Sequence, residues 1–443
     1  MKLWDKGTSV DQRIEDFTVG RDRELDVYLA PFDILGTMAH ITMLESVGLL
    51  EKSELKDLLI DLKRLYNDAV AGNFVIEDGI EDVHSQVELL LTRQLGDVGK
   101  KVHSGRSRND QVLPDLKLYT RHRIQEVVDS VNKLFNVLQK KSEEHKEVLI
   151  PGYTHLQVAM PSSFGVWFGA FAESLADDLL MMQAAWRTAN QNPLGTAAGY
   201  GSSFPLNRTM TTELLGFEDL NYNVGYAQMA RGKMERTVAY ALSSIAQTVG
   251  KLAVDGCMFT SQNFGFLKLP DELTTGSSIM PHKKNPDVFE LLRAHCNKLQ
   301  ALPETIGMIT ANLPTGYFRD LQLIKEVFMP AIDEMLDCLQ IATFAIENIE
   351  VKKDVMQDEK YKLAFSVEEV NKLVLAGVPF RDAYKQVGLA IEAGNFETDA
   401  EVNHTHEGSI GNLCNDRIKL KKDKIINEFG FEKVHNAIQN LLK

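Results

Sequence analysis

Apolar residues return in helical steps through the middle of the chain. From Val112 they recur at Leu116, Tyr119, Val127, Val131, Leu134 and Leu138. From Phe164 they recur at Phe168, Phe171, Leu175, Leu179, Met182 and Trp186. Val238, Leu242, Ile245, Val249 and Leu252 repeat the pattern, as do Leu321, Ile324, Phe328, Ile332, Met335 and Leu339. Steps of three, four or about seven keep such side chains on one helical face. Stripes this long predict a bundle of long helices. Pro161 followed by Ser162 suits the first turn of one helix. Pro330 falls inside another stripe and is expected to kink it. Strand signals are weak, and Val224 to Gln228 reads as irregular chain or a short strand.

The pattern divides the chain into three expected regions: 1–105, mixing short helices with loops; 106–350, the long-helix body; and 351–443, shorter in period and more charged. The fold class expected is therefore mainly α. Gly165, Gly169 and Ala172 would let another helix approach closely, and the bundle is apolar on more than one face. Both features predict self-association through the bundle.

Composition narrows the class. Lys and Arg number 48 against 62 Asp and Glu, a formal charge of −14. That balance argues against a nucleic-acid partner, which needs a basic surface. The four cysteines, Cys257, Cys296, Cys338 and Cys414, form no C-x-x-C pair. Their spacing suggests neither a zinc site nor a disulfide framework, and it fits a reducing cytoplasm. Met1 to Phe17 is charged and does not read as a signal peptide. No run reads as apolar enough to cross a membrane. No dinucleotide fingerprint or P-loop is found.

Four segments carry candidate chemistry. In residues 274–286, Gly276-Ser277-Ser278 precedes Met280-Pro281 and then Lys283, Lys284 and Asn285. Its amides suit an anion nest with lysine close by; the alternative is a solvated loop. Gly152 to Gln157 places His155 beside Thr154, as a proton donor, a carboxylate ligand or a packing histidine. His103 to Gln111 crowds Arg106 and Arg108 into a turn before a helix, as a carboxylate site. Capping by Ser107, Asn109 or Asp110 is the simpler reading there, and it leaves two arginines unexplained. Finally, Tyr317, Gln322 and Lys325 follow Pro314-Thr315-Gly316, with the last two on one helical face. Glu81-Asp82-Val83-His84 reads as a structural acid–histidine pair or a site wall.

Together these segments resemble the fumarase/aspartase superfamily. Gly276 to Pro286 is similar to its signature loop. His103 to Gln111, Pro314 to Gln322 and Val378-Pro379-Phe380-Arg381 resemble its argininosuccinate lyase family, as does Asn192-Pro193-Leu194-Gly195 through Phe204-Pro205. The resemblance implies a three-domain protomer whose central helices tetramerise into one shared bundle. Active sites would be built from three subunits. It implies reversible elimination of argininosuccinate to arginine and fumarate, a step of arginine biosynthesis, with no cofactor and no metal. Ser277 is implied as general base, with Lys283 and Asn285 on the substrate carboxylate and Ser278 beside them. His155, with Thr154, is implied on the other face, held by Glu290. Thr18, Asp22, Ser107, Arg108 and Asn109 match substrate-contacting positions. Tyr317, Gln322 and Lys325 match those addressing the arginine end.

Departures stand beside these matches. Thr18 replaces a usual serine, Phe318 an asparagine, Asn207 an aspartate and Tyr384 a histidine. Ala230-Arg231-Gly232-Lys233 stands where Asp-Arg-Asp-Phe is usual. They leave open a variant substrate. A sibling lyase acting on adenylosuccinate or aspartate, or a non-catalytic scaffold on this fold, is the rival reading.

Overall fold

The computed structural model describes residues 11–443, so the start of the charged segment Met1 to Phe17 lies outside the described residues. The chain is mainly helical, as expected. It opens with α1 (Gln12–Val19), α2 (Asp22–Asp26), α3 (Ala30–Ser46), α4 (Lys52–Val70), α5 (Val83–Leu95) and the short α6 (Asp97–Lys100). Then α7 (Arg108–Glu144) leads into a hairpin of β1 (Leu149–Thr154) and β2 (Gln157–Ser163), followed by α8 (Phe164–Ala189). An irregular stretch holds β3 (Gln191–Asn192), α9 (Arg208–Leu214), β4 (Asp219–Leu220) and α10 (Val224–Met229) before α11 (Lys233–Thr260). Short strands β5 (Leu267–Lys268), β6 (Thr275–Gly276) and β7 (Lys284–Asn285) precede α12 (Asp287–Leu299), α13 (Leu302–Ile309) and α14 (Leu323–Asn348). After β8 (Glu350–Val351) come α15 (Ser366–Leu375), α16 (Phe380–Glu392), α17 (Asn415–Asn427) and α18 (Phe431–Leu442).

The long stripes are the inner faces of α7, α8, α11 and α14, which with α12 enclose the main core. Phe135, Phe164, Phe168 and Phe328 are fully buried there, each stabilising the fold by roughly 1.5–3 kcal/mol. A second core lies among α3, α4 and α5, and a small one among Val370, Ala383, Val387 and Phe396. The last two helices return to the body, α17 against α7 and α8 and α18 against α3 and α9.

Four expectations are corrected. Pro161 lies in β2, paired with Pro151, and α8 begins at Phe164. Ser163 is the cap, its hydroxyl accepting from the Val166 amide at 3.1 Å. Val224–Met229 is helical, because the Asn223 side chain caps the Tyr226 amide at 2.9 Å. Gly165 and Gly169 admit the end of α7 of the same chain: a Cβ on Gly165 would lie 3.1 Å from the Ser142 carbonyl oxygen and 2.7 Å from Cα of Lys146 just beyond that helix, and one on Gly169 3.3 Å from Ser142 Oγ. Lastly, one described stretch, Asp22–Ser46, is long and apolar enough to cross a membrane by length and composition. Inside the fold 72% of its apolar window is buried, which is the apolarity of a core helix. α14 continues through Pro330.

Beneath the turn that starts α7, a charged group is buried whole. His84 Nδ1 lies 2.6 Å from Asp33 Oδ1 and 3.5 Å from Asp115 Oδ2. Burial alone would depress the imidazolium, but Asp33, with Asp115 and Asp82 behind it, outweighs burial and lifts His84 to about 9. Half-buried Arg106 supplies a second positive charge toward Asp33 and Asp115, so two cations face this pair of acids. Asp33, His84 and Asp115 bring their ligand atoms within 4.8 Å of one another, as a metal would require. With Arg106 and His84 already compensating the two acids, the set is a buried ion and hydrogen-bond network.

Raising an imidazole from its ordinary 6.5 to about 9 corresponds to about 3 kcal/mol. That contribution is complete below pH 6.5 and is lost as pH rises through about 9. Asp115, pushed upward mainly by burial and then by Asp33, sheds its proton in the same direction. His84→Gln is therefore expected to lower stability by about 3 kcal/mol at neutral pH. It should also flatten the fall of Tm between pH 7 and 10. Thermal melts across pH check both; an unchanged Tm would rule out a charged His84.

Candidate active site

The first group of candidate residues gathers where the N-terminal helices meet the start of α14. Ser107 opens α7 with a capping box: its oxygen accepts from the Asn109 amide at 3.2 Å, while its own amide donates to Asp110 at 2.7 Å. Capping is thus one role of Ser107. Buried Asp110 also accepts from the Gly195 and Ala197 amides at 3.1 and 2.8 Å, joining the Asn192-to-Gly195 motif to this turn. Burial raises its carboxyl to about 6. Arg108 reaches Glu81 and Asp82 at 3.3 Å each and Ser85 at 2.7 Å. Asn109 stands in the first turn of α7, half-buried.

The opposite wall is Arg319 to Lys325. Gln322 Nε2 donates to the Thr18 and Val19 carbonyls at 3.1 and 3.0 Å. Arg319 donates to the Thr18 carbonyl at 3.1 Å and pairs with Glu81 at 2.9 Å. Lys325 pairs with Asp26 at 2.5 Å and Asp22 at 2.8 Å. Burial opposes the lysine charge, yet the two aspartates raise its pKa. Asp22 is pushed to about 6 chiefly by burial, with Lys325 pulling it back. The Thr18 hydroxyl turns onto its own helix, donating to the Ile14 carbonyl at 2.8 Å. Tyr317 stands 5.8 Å beneath the Arg231 guanidinium.

Sequence reasoning named Thr18, Ser107, Arg108, Asn109, Tyr317, Gln322 and Lys325, and the fold brings them into this one region. It left out Asp26 as a partner of Lys325, gave Glu81 only as a possible wall, and did not place Arg231. The signal for Glu81 was its place just before the Asp82 cap of α5, which aims it at the turn.

Thr154 and His155 lie elsewhere, at the exposed tip of the β1–β2 hairpin. Thr154 pairs with Gln157, leaving a two-residue turn of His155 and Leu156 with φ of 55° and 58°. Left-handed conformations at two consecutive non-glycine residues are strained, and hairpin twist favours them only in turns of this kind. The imidazole therefore projects from a stiff support. Among the described residues no hydrogen bond or ion pair joins it to Glu290, which is exposed on the first turn of α12.

The signature loop has a neck. Thr275 pairs with Asn285 and Gly276 with Lys284, so residues 277–283 form a closed flap. Lys284 is tied to Asp271 and Thr275 to Asp287. Asn285 Nδ2 donates to Thr275 at 3.4 Å. Inside the flap the Ser277 oxygen accepts from the Met280 amide at 3.1 Å and the Ile279 amide at 3.4 Å. Two donors on one hydroxyl oxygen favour its anion. Ser278 and Lys283 are exposed beside it.

The groups lie at opposite ends of the bundle. α11 has 28 residues, about 42 Å at 1.5 Å per residue. Its N-terminal end meets the first group, where Arg231 donates to the Leu321 carbonyl at 3.1 Å. At its other end Phe259 packs 5.1 Å from Phe266, which stacks on Tyr153 of the hairpin at 6.5 Å. Phe289, just after the flap, sits against Gly256 near that same end. Thus Thr154, His155 and Ser277 share one end, and Thr18, Arg108, Gln322 and Lys325 the other. A single chain leaves the two halves apart.

Residues 6–301 match the family model described as Lyase. The argininosuccinate lyase of Bacteroides fragilis is 67% identical over 441 residues, 100% of this chain and 99% of that protein. The argininosuccinate lyase of Parabacteroides distasonis is 66% identical over the same shares. A solved structure of EDDS lyase in complex with formate matches with a TM-score of 0.77 at 22% identity, covering 98% of this chain and 95% of that one. With full-length identity at this level, this chain belongs to the argininosuccinate lyase family.

Proposed function

We propose that the chain catalyses the reversible elimination of argininosuccinate to arginine and fumarate, the closing step of arginine synthesis. The observation that carries this reading is the Ser277 oxygen, which receives two amides of its own loop. The chemical difficulty is a weakly acidic C–H beside a carboxylate, whose removal loads charge onto a group already charged. A serine hydroxyl acts as base only if its anion is held, and the flap amides with Lys283 supply that hold. Lys283 and Asn285, with Ser278, bind the carboxylate and its aci form. His155, flanked by Thr154 and oriented by Glu290, attends the leaving nitrogen. The guanidinium is basic enough to leave with little help. Thr18, Ser107, Arg108, Asn109, Tyr317, Gln322 and Lys325 hold the rest of the substrate, and no cofactor or metal is assigned a step.

We further infer a homotetramer whose sites draw on three subunits. The length of α11 supports this, since a neighbouring antiparallel helix brings the Ser277 end of one chain to the Gln322 end of another. Exposed apolar residues on bundle helices support it too: Leu180, Met181, Val254, Leu291, Ile341 and Phe344 are each more than 40% exposed in the single chain. The three regions 1–105, 106–350 and 351–443 would be its domains, and four unpaired thiols suit the cytoplasm. The test is absorbance of fumarate released from argininosuccinate, with adenylosuccinate and aspartate in parallel. Release from argininosuccinate alone is expected; release from either other substrate instead would move the chain to a sibling activity.

A further inference from the structure

Glu81 opens the motif that ends in His84, and its carboxylate bridges two guanidinium groups. Its Oε2 lies 3.3 Å from Nη1 of Arg108, the first residue of α7. Its Oε1 accepts from Nη2 of Arg319, in the turn that leads into α14, at 2.9 Å. The Glu81 side chain is only 16% exposed, so most of this charge is out of water. One carboxylate thereby ties the start of one bundle helix to the start of another, across 27 positions on one side and 238 on the other.

The backbone presets this aim. Just before Glu81, the Ile80 carbonyl accepts from Arg23 Nε at 2.7 Å. Just after it, Asp82 caps α5, accepting from the Ser85 amide at 2.8 Å and the Ser85 hydroxyl at 2.6 Å. The Val83 amide donates to Asp26, which also pairs with Lys325. Asp82 reaches Arg108 as well, at 3.3 Å, but its cap keeps it on α5. The onward link to Arg319 belongs to Glu81.

The remaining donors of Arg319 give the bridge its consequence. Its Nε donates to the Thr18 carbonyl at 3.1 Å and to Gln322 Oε1 at 3.2 Å. Gln322 in turn donates to the Thr18 and Val19 carbonyls. The end of α1 and the amide of Gln322 therefore follow Arg319, and Arg319 follows Glu81. Without the carboxylate, two guanidinium groups would lose their shared counter-charge. A glutamine in its place offers one oxygen and an NH2 group that a guanidinium cannot accept.

Resting on the elimination reading above, we propose that Glu81 is a positioning residue: its two oxygens hold Arg108 and Arg319 at a fixed separation, and so set the width of the substrate pocket between the starts of α7 and α14. It touches no reacting atom. Ser277 lies at the other end of the bundle, so loosening the bridge weakens binding and spares proton transfer.

The test is Glu81→Gln, read by initial rates with argininosuccinate and by calorimetry with L-arginine on the assembled protein. KM and the Kd for arginine are each expected to rise about tenfold, with kcat within about twofold of wild type. A merely structural role would lower Tm and the active fraction and leave KM where it was. Glu81→Asp keeps the charge but is one methylene too short to span both arginines. A rise of about threefold is expected there, which keeps the test decisive if the glutamine variant folds poorly. In an Arg319→Met background, Glu81→Gln should raise KM by only about threefold, because part of the bridge is already gone. An unchanged KM in both Glu81 variants, a loss confined to kcat, or effects that simply multiply in the double variant overturns the proposal. Calorimetry needs no turnover. A wild type that binds arginine, with both Glu81 variants weakened, yet releases no fumarate would fault the elimination reading alone.

Discussion

Ser277→Ala is expected to lower fumarate release by at least about 10³-fold, the scale of losing a positioned base, while the oligomer stays intact. The oxygen removed is the one that receives the Ile279 and Met280 amides. Without it the flap keeps its donors and Lys283 but has nothing to accept the C–H proton. The fold should not notice: among the described residues the hydrogen bonds of the Ser277 hydroxyl stay within its own loop, and the neck of β6 and β7 is built from other residues. Initial rates with argininosuccinate, and light scattering of the same sample, check the two halves of this expectation. Substantial remaining activity would place the base elsewhere; loss of the oligomer would mean that the flap is structural.

Mixing His155→Ala with Ser277→Ala protein should restore activity that neither has alone. The hairpin tip and the flap belong to the same end of one bundle, yet no bond joins His155 to Glu290 within the chain. If each site takes its histidine from one subunit and its serine from another, some hybrids contain intact sites. With equal amounts and random exchange, half of the chains carry each residue, so roughly a quarter of sites receive both. The mixture should therefore recover to roughly that fraction of wild-type rate after mild denaturation and reassembly. Subunit exchange followed by mass spectrometry provides the control. Verified exchange without recovery would confine both residues to sites within single chains.

How far the sequence could be read depended on what solvent left visible. α7, α8, α11 and α14 each keep a wet face, so their stripes stood out with helical period. α3 did not: Asp33, Ile34, Met38, His40, Ile41 and Leu44 are all buried, leaving no polar side to mark the repeat. Pro161 suits a strand edge as well as a helix start, and only the pairing with Pro151 decides between them. Site motifs were legible where they are contiguous, as in Gly276 to Pro286. Pairings such as Lys325 with Asp26 link residues 299 positions apart and leave no local trace. Arg231 was unreadable for another reason: its neighbours depart from the usual pattern, and its hydrogen bond to the Leu321 carbonyl spans 90 positions of the chain.

The separation along α11 also bears on when the protein becomes active. On the shared-site reading, a newly made subunit carries a base at one end of a rod of about 42 Å and its substrate clamp at the other. Such a subunit is fully folded yet chemically silent. Activity is born only at the moment of association, so folding and catalysis are separated in time, and a damaged chain that cannot join its neighbours never acquires the chemistry at all.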